Sequence, residues 1–295
     1  MQISATQIIR NYAEVTKPPI VSLLVFTSVA TMTIAWVKTL RPFSPILFVE
    51  ALLAITAASA GCDVLTSYID RDIDAVMRRT RDRPIPSGRI KAKSALTWGL
   101  LLSAIGLTLA YWINALAFLW IGLGVLDNVV VYSLLLKRRS PTNIILGGVS
   151  GGLPVMFGWS AVTGTVSLLP ILLAALVVLW IPGHIWSLAI FTRSDYERAH
   201  VPMLPVVTKL STALRCIVST VVIMVPFSLW IFLEGSFGLV YLAVAVAFGS
   251  AVLYVNFRLF IRPDDKMAYK AFKISSPYLF ALFLAMMIDS ILHVL

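Results

Sequence analysis

Asp70, Asp72 and Asp74 lead directly into a run of arginines, in the segment Thr66-Ser67-Tyr68-Ile69-Asp70-Arg71-Asp72-Ile73-Asp74-Ala75-Val76-Met77-Arg78-Arg79-Thr80-Arg81-Asp82-Arg83-Pro84-Ile85-Pro86-Ser87-Gly88. Asp70 and Asp74 are four apart, so a helix through them stacks their carboxylates on one face, with Thr66 a turn earlier and Asp72 pointing elsewhere. Two like charges that close destabilise a helix unless a cation joins them. Paired carboxylates with open positions suit Mg²⁺ whose shell is completed by phosphate oxygens. Arg78, Arg79, Arg81 and Arg83 supply charge-assisted bonds for the rest of a diphosphate. Pro84, Pro86 and Gly88 impose a non-helical loop that would curl over the anion. The competing reading, aspartates that merely balance arginines on a solvated loop, is set aside only because further segments add to the first.

The second segment is Trp180-Ile181-Pro182-Gly183-His184-Ile185-Trp186-Ser187-Leu188-Ala189, followed by Asp195-Tyr196-Glu197-Arg198-Ala199-His200-Val201-Pro202-Met203-Leu204-Pro205-Val206-Val207. Its Asp195 and Tyr196 give an acidic site expected to face the first. Tyr132-Ser133-Leu134-Leu135-Leu136-Lys137-Arg138 brings two cations to the same place, and Val15-Thr16-Lys17-Pro18-Pro19 is the last of the set. Asp70 and Asp195 are expected in mobile, wet loops outside the packed core.

The elements that must position these residues follow from composition. The chain has 295 residues, 59% hydrophobic and 13% charged, which excludes an ordinary water-soluble domain. Apolar runs of bilayer-crossing length recur at 19–37, 46–69, 95–113, 115–136, 143–163, 168–192, 213–233, 236–257 and 272–293. They do not alternate polar with apolar residues, so they are helices rather than barrel strands. The expected fold is an all-α integral membrane bundle of nine transmembrane helices, a single domain over 1–295.

Only Lys38 and Arg41, of 24 basic residues, fall on the side opposite the others. By the positive-inside rule the N-terminus and the charged loops face the cytoplasm and the C-terminus faces out, in a multi-pass plasma-membrane protein. The net charge of +10 is thus explained by orientation and anionic headgroups in the lipid bilayer, and no nucleic acid is expected. Cys62 and Cys216 have neither disulfide nor zinc spacing and read as packing residues. The first 18 residues lack an apolar core, so no cleaved signal is expected. Asp63, Asp127 and Asp289 are costly in lipid: Asp63 is expected toward the cavity, the other two on interhelical partners. Gly147, Gly148, Gly151 and Gly152 read as close helix packing.

These motifs resemble the UbiA superfamily of intramembrane prenyltransferases, and within it the haem O synthase (protohaem IX farnesyltransferase) branch. The Asp70-to-Pro84 phrase is similar to that branch almost residue for residue. So are the Trp180-to-Trp186 helix and the Asp195-to-Val207 loop, including Ala199 where other members carry a second Asp. Thr66 departs from the usual Asn, and Asp127-Asn128 is also unusual. The resemblance runs from about Tyr12 to Val207.

What it implies is a UbiA-type fold, Mg²⁺ as cofactor, and farnesyl diphosphate and haem B as substrates, with haem-handling or terminal-oxidase assembly partners. Asp70, Asp74 and Asp195 would hold diphosphate through Mg²⁺. Arg79, Arg83, Lys137 and Arg138 would contact phosphate, Tyr132 would shield an allylic cation, and Thr66, Tyr196 and His184 would complete the substrate site. His184 is either a haem axial ligand or a structural histidine bonded to a carbonyl or a propionate. The rival readings are the same chemistry with an aromatic or glycerol-phosphate acceptor, and a membrane transporter.

Overall fold

The computed structural model describes residues 4–292. Thirteen helices are designated here in chain order. Nine are long and apolar enough to cross a membrane among the described residues: α2 (Pro18–Lys38), α3 (Pro45–Ile69), α5 (Ala92–Ile113), α6 (Ala115–Leu136), α7 (Asn143–Thr163), α8 (Leu168–Phe191), α11 (Leu210–Glu234), α12 (Leu239–Ile261) and α13 (Asp265–Leu292). Four shorter ones lie at the bundle end: α1 (Ala5–Val15), α4 (Arg71–Val76), α9 (Arg193–Arg198) and α10 (Leu204–Val207). The all-α membrane reading holds, and the molecule is a multi-span membrane protein.

Helix ends differ from the sequence reading where the helix outlasts its apolar stretch. α13 starts at Asp265 rather than at 272, because the exposed Lys266, Lys270 and Lys273 extend the helix into headgroup territory. The amphipathic α1 was not anticipated. Its signals are the Ser4 cap, whose hydroxyl accepts the Gln7 N–H, and a single buried face at Asn11 and Val15.

Small residues set the tight crossings. At Gly61 in α3 a side chain would collide with the Ser103 backbone of α5 at 2.6 Å, and at Gly106 with that of Ala58 at 2.6 Å, so these two helices pack backbone to backbone. In α7, Gly147 faces Tyr132 with no room for a Cβ (2.5 Å), which lets the tyrosine, near the end of α6, pack directly against the start of α7. The intramembrane acids find partners across helices. Asp127 accepts the Ser150 N–H at 2.8 Å, just past the break in α7 at Gly148, and Asp289 accepts the Tyr241 N–H at 2.6 Å near the start of α12. Each carboxylate thereby satisfies a backbone donor that lacks an intrahelical partner. The second half of α6, Leu126–Leu136, is wound as a π-helix and ends beside the charged loops. Both cysteines are free thiols.

Candidate active site

Asp70 separates α3 from α4, yet the hydrogen-bond ladder crosses it: its N–H donates to the Thr66 carbonyl at 2.9 Å, and the Asp74 N–H donates to the Asp70 carbonyl at 2.8 Å. The four-residue spacing therefore does place both carboxylates on one face. Neither is wet, with Asp70 and Asp74 each 4% exposed. The Lys137 ammonium donates to Asp70 Oδ2, whereas Asp70 Oδ1 is buried and has no hydrogen-bond partner. Asp74 Oδ2 accepts from Arg83 Nη1 at 2.8 Å, and the Thr80 hydroxyl donates to the Asp74 carbonyl at 2.9 Å. Arg83 and Thr80 thus fold the post-α4 loop back over the carboxylates, as its prolines and Gly88 (φ 77°) suggested.

Asp195, on α9, comes to the same end of the bundle. Its carboxylate accepts the backbone N–H groups of Arg78 at 3.0 Å and Arg79 at 3.2 Å and pairs with Arg198. It is 6% exposed, so the expectation of mobile, wet loops is corrected for both Asp70 and Asp195. Packing of the loop on buried Ile73, Met77, Tyr196 and Met203 removes them from water. Burial works to raise the Asp195 pKa, but the two N–H donors and Arg198 outweigh it and hold the carboxyl below its usual range.

The bases divide sharply. Arg79 is exposed, and its guanidinium has no protein partner among the described residues. Arg138 instead grips Asp72 on the far face of α4 at 2.5 and 2.6 Å, with the Ile69 carbonyl as a third acceptor. That grip drives the Asp72 pKa down to about 2. Tyr132 sits under the Lys137 ammonium, 5.4 Å from its ring centre, and Tyr196 and Asp70 are among the groups that act electrostatically on that lysine. Thr66 donates to the Asp63 carbonyl at 3.1 Å and accepts from Lys17 Nζ at 3.2 Å.

His184 lies apart from this cluster. Its ring stacks on Trp180 (centroids 4.2 Å) and leans on Phe272 (4.4 Å), with Nδ1 bonded to the Ser275 hydroxyl at 2.6 Å in the packing between α8 and α13. The structure thus brings together Asp70, Asp74, Asp195, Lys137, Arg79, Arg83, Tyr132, Tyr196 and Thr66. It leaves Arg138 on the outer face and His184 in the neighbouring helix interface.

Lys17 is a site residue to which the sequence reading gave no role. It begins α2 in a left-handed conformation (φ 51°) and reaches Asp63 Oδ1 at 3.1 Å. The contacts to Asp63 and Thr66 hold a backbone conformation that most residues avoid and that the following proline does not favour. Its signal in the sequence was a cation stranded before two prolines. Thr80, fully buried, was visible only as one letter of the motif.

The donor set suits a hard divalent cation: carboxylate oxygens a helical turn apart, one of them a buried oxygen with no donor. Each of Asp70, Asp74 and Asp195 has its own basic partner, and no group of three or more His, Cys, Asp or Glu side chains placed to share an ion occurs among the described residues. An arriving ion would compete with Lys137 and Arg83 for these oxygens.

The profile of the UbiA prenyltransferase family matches residues 23–285. The chain belongs to that family. Among UbiA relatives it is 54% identical over 281 residues to the protoheme IX farnesyltransferase of Desulforudis audaxviator, covering 95% of this chain and 88% of the relative. It is 41% identical to protoheme IX farnesyltransferase 1 of Cenarchaeum symbiosum, covering 96% and 97%. The UbiA fold is also that of digeranylgeranylglyceryl phosphate synthase (TM-score 0.77, 21% identity, 96% and 99% of the chains). A UbiA homolog from Archaeoglobus fulgidus bound to GPP and Mg²⁺ shares it too (TM-score 0.69, 18% identity, 94% and 99%).

Proposed function

We propose that this chain transfers a farnesyl group from its diphosphate to a vinyl group of protohaem IX (haem B), making haem O. The observation that carries the reading is the junction of Asp70, Asp74 and Asp195 with Lys137, Arg83 and the unengaged Arg79 at one end of a membrane bundle. The protoheme IX farnesyltransferase names of its relatives support haem as acceptor.

Ionising the allylic C–O bond leaves a diphosphate whose charge must be stabilised as it grows. Asp70, Asp74 and Asp195 would hold Mg²⁺, which when bound would supply Lewis-acid stabilisation of that leaving group. Arg79 presents an open guanidinium to the phosphate oxygens. Lys137 and Arg83, which stand on the Asp70 and Asp74 carboxylates, would add their charge to the stabilisation of the same anion. Tyr132 offers its ring face to the allylic cation, and burial of the site excludes water until the vinyl carbon attacks. Thr66 and Tyr196 wall the site beside Lys17 and Tyr132. Arg138 contributes by fixing α4 through Asp72, and His184 by holding the α8–α13 interface.

The whole chain, 1–295, works as one domain. It lies in the plasma membrane with its N-terminus and charged loops in the cytoplasm and its C-terminus outside, because the basic residues concentrate on that side. Its product passes to proteins that handle haem or assemble a terminal oxidase.

The test is purified protein in lipid nanodiscs with haem B, farnesyl diphosphate and Mg²⁺, analysed by mass for prenylated haem. Prenylation of an aromatic or glycerol-phosphate acceptor with haem untouched would replace the acceptor. Solute counterflow in proteoliposomes without Mg²⁺ or prenyl diphosphate would instead mark a transporter.

A further inference from the structure

Along α3 and its continuation through Asp70 into α4, Ser59, Asp63, Thr66, Asp70 and Asp74 follow at intervals of four, three, four and four, so one polar stripe runs from the acidic motif into the membrane interior. Asp63 is about 10 Å deeper than Asp70 at helical rise. There it borders a cavity of about 60 Å³ whose other walls include Ile55, Leu153, Phe157 and, from α6, Asn128. Three polar side chains in this apolar chamber have unspent hydrogen-bonding capacity. Asp63 Oδ2 is buried with no partner, and neither the Ser59 hydroxyl nor the Asn128 amide bonds to protein among the described residues. Asp63 Oδ1 is held by Lys17 at 3.1 Å. Lys17 also lines the small pocket of Asp74 and Arg83, so the Lys17–Asp63 pair forms the partition between the diphosphate end and the chamber.

A polyprenyl tail cannot satisfy these groups, and leaving them against hydrocarbon is costly. An anionic edge of the acceptor is repelled by the carboxylate. Water fits: a buried water takes two to four polar partners, and the chamber offers three.

We infer that Asp63, with Ser59 and Asn128, holds the water that ends the reaction and takes its proton. The inference rests on the proposed haem acceptor. Diphosphate departs with the electron pair of the C1–O bond, and the terminal vinyl carbon bonds to C1. The positive charge is left on the vinyl carbon attached to the macrocycle. Water oxygen bonds to that carbon while one of its protons passes to the Asp63 carboxylate, giving the alcohol. Without a placed water, the cation sheds a proton from the adjacent carbon instead and gives the alkene, lighter by one water.

The experiment measures the ratio of alcohol to alkene adduct by mass, in H₂¹⁸O, for wild type, Asp63→Asn, Ser59→Ala and Asn128→Leu. Wild type gives ¹⁸O-labelled alcohol. Asp63→Asn lowers the ratio about tenfold or more, as loss of a general base implies. Ser59→Ala and Asn128→Leu, which leave the Lys17–Asp63 pair intact, lower it by smaller factors and keep the inference testable if Asp63→Asn misfolds. An unchanged ratio in the variants that prenylate haem overturns the role of Asp63. Wild type that prenylates no haem overturns the acceptor assignment itself, and the inference with it.

Discussion

The carboxylate of Asp195 accepts the backbone N–H groups of Arg78 and Arg79, at 3.0 and 3.2 Å, from more than a hundred residues away. One acidic segment is thereby the anchor of the other's loop. The open guanidinium of Arg79 depends on that anchor for its position.

Asp195→Ala is therefore expected to loosen the loop as well as to remove a carboxylate. Hydrogen exchange at the Arg78 and Arg79 amides should quicken, and prenyl transfer should fall on the order of 10²–10³-fold, as when an oriented electrostatic group is lost. Unchanged exchange at those two amides would show that the anchor is dispensable.

The buried Asp70–Lys137 pair makes a different demand. Lys137→Met leaves the Asp70 carboxylate buried without its partner and should cost about 3–5 kcal/mol of stability. Adding Asp70→Asn should restore much of that in thermal unfolding while activity stays lost. For the same reason Asp70→Ala alone, which strands Lys137, should unfold more easily than wild type. A double variant no more stable than Lys137→Met would refute the pairing.

Asp72 and Arg138 give a pH signature. The hydrogen bond from Arg138 lowers the Asp72 pKa from 3.8 to about 2. The pair's stabilising contribution is thus fully present above the unfolded value and disappears as pH falls through the folded one. The Asp72 side chain is 62% exposed, which limits the contribution to about 1 kcal/mol. The melting-temperature difference between wild type and Asp72→Asn should be constant above about pH 5, shrink as pH falls toward 2 and vanish only below it, near about pH 1. A difference that does not shrink between about pH 5 and pH 2 would contradict it.

His184→Ala removes a ring stacked on Trp180 and Phe272 and should destabilise the protein by about 1–3 kcal/mol. Because Nδ1 is engaged by Ser275 and the ring lies outside the carboxylate cluster, the Soret band of bound haem should not move in this variant. A shifted band would make His184 an iron ligand.

Much of the site was legible because its signals are local. The i, i+4 relation of Asp70 and Asp74 needs only helical periodicity, and nine apolar runs need only counting. What sequence could not give was the pairing of charges across segments. Arg83 and Arg138 look equivalent as letters, yet one bends back to Asp74 and the other turns outward to Asp72, because they leave their elements on opposite faces of α4. The wetness expected of Asp70 and Asp195 failed for a related reason. A charged loop reads as solvated until the residues that cover it, here Met77, Tyr196 and Met203, are placed in three dimensions.

The site's charged groups all gather where α3, α6 and α8 end, while the opposite ends of these helices carry none of them. A pyrophosphate is consequently served at a single end of the bundle, for arrival and departure alike. Such a catalyst draws nothing from a transmembrane gradient, and its far side is free to stay sealed through every turnover.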